Sequence, residues 1–351
     1  MKRLTLLFLP VYLVLSGCTT FDPTPRVLLD SSIVQKTQVF EEFVSGYVKR
    51  IQVGDYHSSS GDEIAILGQC DVWLLAASNY ELLQHFATGG GLSPQLIDVQ
   101  GDGELSVMRG GGGFGGVGLL TLEGESHWGF RPNSNLAPQK MIAADLNADG
   151  ALEFYVLDWD ALYQLDSKGN VTWKVVGHEY RDIGLVLEDQ LMCLKEGGVL
   201  ERYDFNGEVL SRLELPVEPY HFDTVQWPDD FSFLVGYFGR CVLIIDSNGE
   251  VVFEGPLDGF PLYHPPQALS VRFIEGEPPY LVVLAHSRSS VGRTLLAIFT
   301  PSGEMLYQEI LGGTRGMCVN VNAATGGEVL LVGDGTTGVL EYQLNSRSTR
   351  N

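Results

Sequence analysis

Basic residues are scarce in this chain. Lysine and arginine together number 22 against 44 aspartates and glutamates, for a formal net charge of −22 at neutral pH. Nucleic acid and anionic lipid headgroups both need a basic surface, so this balance excludes nucleic acid as a partner. Cysteine is also rare, at five in 351 residues. None of Cys70, Cys193, Cys241 and Cys318 stands in a CxxC pair or a Cys/His metal spacing. In an oxidising compartment they could pair, in a connectivity the sequence does not fix; buried free thiols are the simpler expectation. Long apolar runs are missing, since Leu4 to Leu15 falls short of the ~20 residues a spanning helix needs. No segment carries an amphipathic helical period. No GxSxG, HExxH or Walker A pattern occurs. Gly111, Gly113 and Gly116 in RGGGGFGG have the GxGxxG spacing, but VGLLTLEG follows them. That is a strand, so no helix N-terminus awaits a pyrophosphate.

What is present begins at the N-terminus. Lys2 and Arg3 precede the Leu4–Leu15 run, which stops at Leu15-Ser16-Gly17-Cys18. A basic start, an apolar core and small residues make a signal peptide. Followed by Cys18 and polar Thr19-Thr20, the segment resembles a bacterial lipobox. The resemblance implies residues 1–17 as a cleaved lipoprotein signal peptide and Cys18 as the lipidation site. It also implies a lipid-anchored protein that reaches the membrane through its lipid alone. Thr19, rather than Asp, after that cysteine implies sorting to the bacterial outer membrane, on its periplasmic or its surface-exposed face. Losing Lys2 and Arg3 with the leader takes the net charge to −24. Residues 18–32, with Pro23 and Pro25, read as a tether.

A short apolar run then recurs seven times: EIAILG (63–68), ELSVM (104–108), EFYVLD (153–158), LMCLK (191–195), SFLVGY (232–237), YLVVLA (280–285) and EVLLVG (328–333). A second run follows each, as in VWLLAA or CVLIID, and a third follows six of them after a turn, as in GNVTWKV or GEVVFEG. An extended stretch such as RIQVGD or MIAADL precedes each set. Runs of four to seven Val, Leu, Ile and aromatic residues punctuated by Gly, Asn, Asp and Pro are strand chemistry. Four strands per repeat of roughly 40–50 residues match β-propeller blades. Gly124, Gly169, Gly207, Gly249 and Gly303 fall where the last hairpin of a blade needs positive φ. The seventh set lacks its fourth strand, and IVQKTQVFEEF, Ile33 to Phe43, is a spare strand that completes it. The expectation is an all-β, seven-bladed β-propeller over 33–345, closed by an N-terminal strand, with 346–351 as a tail. Closure removes exposed sheet edges.

One loop stands apart. AADLNADGALEF, Ala143 to Phe154, gathers Asp145, Asn147, Asp149, Gly150 and Glu153 between the first two strands of the third blade. An EF-hand is excluded, because its twelfth position would be Val156, in a strand, and no helices flank it. The spacing D-x-N-x-D-G-x-x-E resembles the calcium loop of FG-GAP and VCBS propeller repeats, as in integrin α-subunits. That resemblance implies side-chain ligands from Asp145, Asn147, Asp149 and Glu153, a backbone ligand from Ala151, and one structural Ca²⁺. Hard oxygens with no nitrogen or sulfur suit that ion. A metal-free Asx-rich turn is the alternative. DVQGDGELS keeps Asp98 and Asp102 but has Gln100 and Ser106 at ligand positions, a possible weak second loop, and Asp55, Asp62 and Glu63 are a more irregular remnant. Later turns, LDSKGNVTW and IDSNGEVVF, resemble quinoprotein-type propeller repeats, in which an aromatic packs between blades.

In a propeller the loops between blades and those between second and third strands open on one face. That face would carry His178, Tyr180, Arg181, Tyr220, His221, Tyr263, His264 and Arg315 from the junctions. Trp159, Arg240, His286, Arg288 and Arg293 would come from the hairpins. Such a rim is a candidate binding surface for a protein or glycan ligand; packing of the Tyr and His between blades is the competing reading. The expected function is a non-catalytic binding or scaffold module. The later repeats resemble those of a lipoprotein propeller in the outer-membrane barrel assembly machinery, which implies an assembly role as one version. The alternative is a calcium-bearing, lyase-like enzyme acting on polysaccharide, with His178, His221 or His264 as base and Arg181 or Arg315 as neutraliser. No acid/base pair stands out by spacing.

Overall fold

The computed structural model describes residues 34–41, 48–56, 61–87, 92–111, 116–132, 138–177, 179–186, 190–219, 221–227, 231–237, 241–257, 267–286, 294–312, 314, 316–321, 327–334 and 338–344. All regular structure among them is strand, in seven four-stranded antiparallel sheets. The chain is an all-β, seven-bladed propeller.

Blade 1 comprises β2 (Arg50–Gly54), β3 (Glu63–Leu67), β4 (Asp71–Ala76) and β5 (Leu82–Ala87), in that order from the axis outwards. Blade 2 comprises β6 (Leu92–Asp98), β7 (Leu105–Gly110), β8 (Val117–Thr121) and β9 (Ser126–Phe130). Blade 3 comprises β10 (Lys140–Ala144), β11 (Glu153–Leu157), β12 (Ala161–Leu165) and β13 (Val171–Val176). Blades 4, 5 and 6 follow the same order over 180–214, 222–256 and 267–311, opening with β14 (Tyr180–Val186), β18 (Phe222–Gln226) and β22 (Gln267–Val271).

Blade 7 joins β26 (Met317–Val321), β27 (Glu328–Gly333), β28 (Gly338–Leu344) and, outermost, β1 (Val34–Glu41). The pairing of β1 with β28 runs from Val34 opposite Leu344 to Glu41 opposite Gly338, with one irregularity between Gln38 and Phe40. The N-terminal strand therefore closes the ring as its residue pattern requires. Ile33, Glu42 and Phe43 lie outside the described residues.

Second and third strands are apolar on both faces because a blade is packed on both sides. β11 and β12 are buried at every position. The fourth strands look outwards, and Val176 is 72% exposed. The core is consequently a set of inter-blade layers. Phe154 and Val156 of blade 3 pack on Met108, Val117 and Leu119 of blade 2, and Leu191 and Cys193 of blade 4 pack on Tyr155 and Leu157 of blade 3.

The last hairpins share one turn. Asp166 accepts the backbone N–H of Lys168 and Asn170 through its carboxylate, and its carbonyl accepts that of Gly169. Asp246 repeats this with Asn248, Glu250 and Gly249. Gly169 has φ of 80°, and a Cβ on it would lie 2.6 Å from the Trp128 ring. The Trp128 indole N–H donates to the Ser167 carbonyl at 3.1 Å, and that of Trp173 to the Phe205 carbonyl at 2.8 Å. An aromatic of one blade thus seats on the turn of the next, so glycine there serves both backbone sign and contact.

Cys193 and Cys318 are free thiols. Burial raises the thiol pKa of Cys193 and pushes that of Cys318 up to about 12, which keeps both as unreactive thiols.

Candidate metal loop and loop-face cluster

The loop between β10 and β11 lies on the face of the ring that also carries the last-hairpin turns. Blade junctions and second-to-third-strand turns lie on the opposite face, called here the loop face. Asp145, Asp149 and Glu153 bring one carboxylate oxygen each to within 4.8 Å of one another. The backbone sets this up. Asp145 accepts the N–H of Asp149 at 3.1 Å and of Gly150 at 2.9 Å. Asp149 accepts that of Ala151 at 2.8 Å. Ala148 and Gly150 take φ of 58° and 89° to wind the chain tightly enough. Glu153, 6% exposed, accepts the Leu146 N–H at 3.1 Å. Burial raises its pKa, and Asp149 and Asp145 push the same way. The Asn147 amide NH₂ donates to Asp149 at 3.0 Å and to Glu153 at 3.1 Å. Its carbonyl would have to turn inwards for Asn147 to serve as a ligand. The donor set is all oxygen, as a hard divalent cation requires.

Blade 2 repeats the frame. Asp98 accepts the N–H groups of Gly101, Asp102 and Gly103, and Asp102 accepts that of Glu104. Ser106 stands where blade 3 has Glu153, with its hydroxyl 3.3 Å from His127 Nε2. The two loops abut, since the Leu152 N–H donates to the Val99 carbonyl at 3.0 Å. Blade 1 keeps the closing residue. Glu63 is buried and accepts the Tyr56 N–H at 2.7 Å, the counterpart of the Glu153–Leu146 bond.

On the loop face, Trp159 is 55% exposed in the turn after β11. Tyr180 is buried rather than displayed, its hydroxyl 2.8 Å from that of Tyr203, because the irregularity between Tyr180 and Asp182 turns it into the blade 3–4 layer. Burial raises its phenol pKa. Arg181 pairs with Glu196 at 3.1 Å and Glu218 at 3.7 Å. His221 Nδ1 lies 3.4 Å from Asp182. His178, Tyr220, Arg240, Tyr263, His264, Arg288, Arg293 and Arg315 fall outside the described residues, as do Cys18 and the side chain of His286.

What holds His221 is not marked by any local sequence pattern. Asp182, 1% exposed, takes Lys140 Nζ at 3.0 Å on one oxygen and the Phe222 N–H at 3.0 Å on the other. Burial alone would raise its pKa, but Lys140 and His221 outweigh burial and lower it. Asp223, on the next innermost strand, accepts the Ala268 N–H at 3.4 Å. Burial dominates there and raises its pKa against the pull of Lys140. These residues start innermost strands of blades 3, 4 and 5, so they ring the axis at its loop-face end. Lys140 opens β10 and Asp223 follows Phe222 in β18, but only the closed ring brings the strands together.

No family model matches the chain, and no curated protein matches it by sequence. Solved structures match in fold. The BBS1N chain of a complex with ARL6DN superposes with a TM-score of 0.56 at 11% identity, covering 89% of this chain and 98% of that one. Virginiamycin B lyase from Staphylococcus aureus gives 0.55 at 12%, covering 89% and 99%. The Pan2 WD40 domain from Neurospora crassa gives 0.53 at 13%, covering 91% and 97%. All three are β-propellers of comparable length, and at such identities the likeness is one of fold.

Proposed function

We propose that the chain is a lipid-anchored, non-catalytic binding module of the bacterial outer membrane. It presents its loop face to a protein ligand and carries one structural Ca²⁺ in the Asp145–Glu153 loop. The observation that carries the binding reading is a polar cluster at the junction of blades 3 to 5, in which Asp182 holds Lys140 and His221 and the neighbouring Arg181 pairs with Glu196 and Glu218. Groups already held by partners keep a fixed geometry, and a preorganised polar surface binds with less ordering cost. The same pairing weighs against the lyase reading. A lyase's cationic neutraliser must be open to the substrate carboxylate, whereas Arg181, the candidate neutraliser among the described residues, is shared between Glu196 and Glu218. The BBS1N propeller, solved with a protein partner, offers an analogy of fold. A glycan remains the second ligand class by the same surface chemistry.

The anchor rests on the Leu15–Cys18 motif. Cys18→Ser should move the full chain from the membrane fraction to the soluble one. Recovery of C18S in the membrane fraction would refute lipid anchoring. For the ligand, wild-type chain is cross-linked in its native membrane and compared with Arg181→Glu. A single protein cross-linked by wild type and lost in R181E supports the module. Turnover of uronate polysaccharide by the purified chain, with no protein captured, overturns it in favour of the enzyme.

A further inference from the structure

Second strands turn an apolar side chain towards the preceding blade. Ile66, Val156, Cys193, Val235 and Val283 do so in blades 1, 3, 4, 5 and 6. In blade 2, Arg109 takes this place. It follows Val107 by two residues on the face of β7 that packs on Ala65, Leu67 and Leu74 of blade 1, and is only 4% exposed. Its Nη1 donates to the Gln69 carbonyl at 2.9 Å. Its Nε and Nη2 are buried and have no hydrogen-bond partner. A buried, unpaired donor is destabilising, and more so on a charged group. Burial lowers the pKa to about 10, and neighbouring Cys70 and Asp71 offset part of that, so the guanidinium stays charged at neutral pH. The Asp71 carboxylate is engaged by His85 at 3.3 Å.

The two idle donors are the parallel pair on one edge of the guanidinium, the edge that a two-oxygen anion accepts side by side. Gln69, whose carbonyl holds the third nitrogen, is itself exposed, so the group lies one residue beneath the loop face. We infer that Arg109, between blades 1 and 2 at the loop-face end of β7, is an anion-binding site for a carboxylate or phosphate group. The bound anion accepts Nε–H and Nη2–H together and neutralises the buried charge. This site depends on neither the calcium loop nor the lipid anchor.

The test follows the arginine Nε–H resonances of the ¹⁵N-labelled full chain by NMR while inorganic phosphate and, separately, acetate are added. The Arg109 resonance is identified by its loss in Arg109→Lys, which keeps charge without the fork, and by slow exchange with water. A saturable shift of that resonance is expected in wild type, and calorimetric titration of both chains with the same anion should give an affinity in R109K weaker by roughly tenfold or more. Response to phosphate alone assigns a phosphoryl ligand, and to acetate alone a carboxylate. If neither anion moves a slowly exchanging Nε–H in wild type, or R109K binds as tightly, the inference fails.

Discussion

In blade 3, Asp145 accepts the N–H groups of Asp149 and Gly150; in blade 2, Asp98 accepts those of Asp102 and Gly103. Ala148 and Gly150 take positive φ in one loop, Gly101 and Gly103 in the other. The frames coincide position by position. What differs is the closing residue, a buried carboxylate at Glu153 against a hydroxyl at Ser106. A short aspartate suffices to wind such a loop, because its oxygens replace backbone acceptors. Charge convergence needs the third carboxylate as well. The D-x-x-x-D-G spacing therefore encodes a turn, and the residue three beyond its glycine decides whether the turn has the chemistry of a cation site.

The sharpest break in this comparison is calcium itself. At a hundredfold excess over Kd, bound ion should stabilise the chain by about 2.7 kcal/mol, read as a rise in Tm over a chelated sample. Glu153→Gln should abolish the rise, and Ser106→Ala should leave it intact. A rise that survives E153Q would place the ion elsewhere. The pH dependence has a definite sign. Because the folded pKa of Glu153 is raised, native chain without calcium binds more protons than unfolded chain in weakly acidic solution. The stability this contributes is full below the ordinary carboxylate range and is lost as pH rises through the folded pKa. In chelator, E153Q should remove that slope, and calcium affinity in wild type should increase with pH. A slope unchanged in E153Q denies Glu153 this role.

Next in size are the winding aspartates. Without calcium, Asp145→Ala and Asp98→Ala should each destabilise by about 1–2 kcal/mol, the scale of a lost side-chain cap on backbone N–H groups. Near-equal losses in urea titrations would show that the frames are equivalent before any ion binds. A much smaller loss for D98A would show that blade 2 has relaxed. Smaller again is Ala148→Gly. Blade 2 has Gly101 at this position, whereas Ala148 bears a Cβ at φ of 58°. Relief of that conformation should raise stability by about 0.5–1 kcal/mol. A loss would mean that Ala148 makes contacts outweighing its backbone.

Much of this was legible from residues alone. Apolar runs, turn glycines and the spare N-terminal strand specify the blades and their closure, because each is a short local pattern, a strand-length run or the turn that bounds it. The Asp145 loop was legible for the same reason, its oxygens lying within nine residues of one another in the chain. Asp182 with Lys140 and His221 was not, since those groups belong to three blades and meet only around the axis. Arg109 was hidden differently. It occupies an ordinary strand position, and its isolation appears only once the blade 1 layer covers it. Tyr180 was placed on the rim by its loop position, but one irregular step in β14 turns it inwards. A signal existed there, because Tyr180 and Tyr203 both border apolar runs. Pairing them needs the inter-blade contact.

The smallest expected effect is also the most pointed. Ser106→Glu would give blade 2 the closing carboxylate it lacks. The longer side chain has room, since a cavity of about 280 Å³ is lined by Val99, Asp102, Ser106 and His127. The Val99 N–H lies where blade 3 offers that of Leu146 to Glu153. Without calcium the variant should lose a little stability, because a third carboxylate joins Asp98 and Asp102. With calcium that loss should be recovered, leaving a net change within about 0.5 kcal/mol. Calorimetry should then count two ions per chain where one is expected for wild type, the second bound more weakly because Gln100 stands in place of Asn147. A stoichiometry still at one would mean that Ser106 is not what keeps the blade 2 frame from binding. The controlling difference would then have to lie at Gln100 or in the loop's contact with its neighbour.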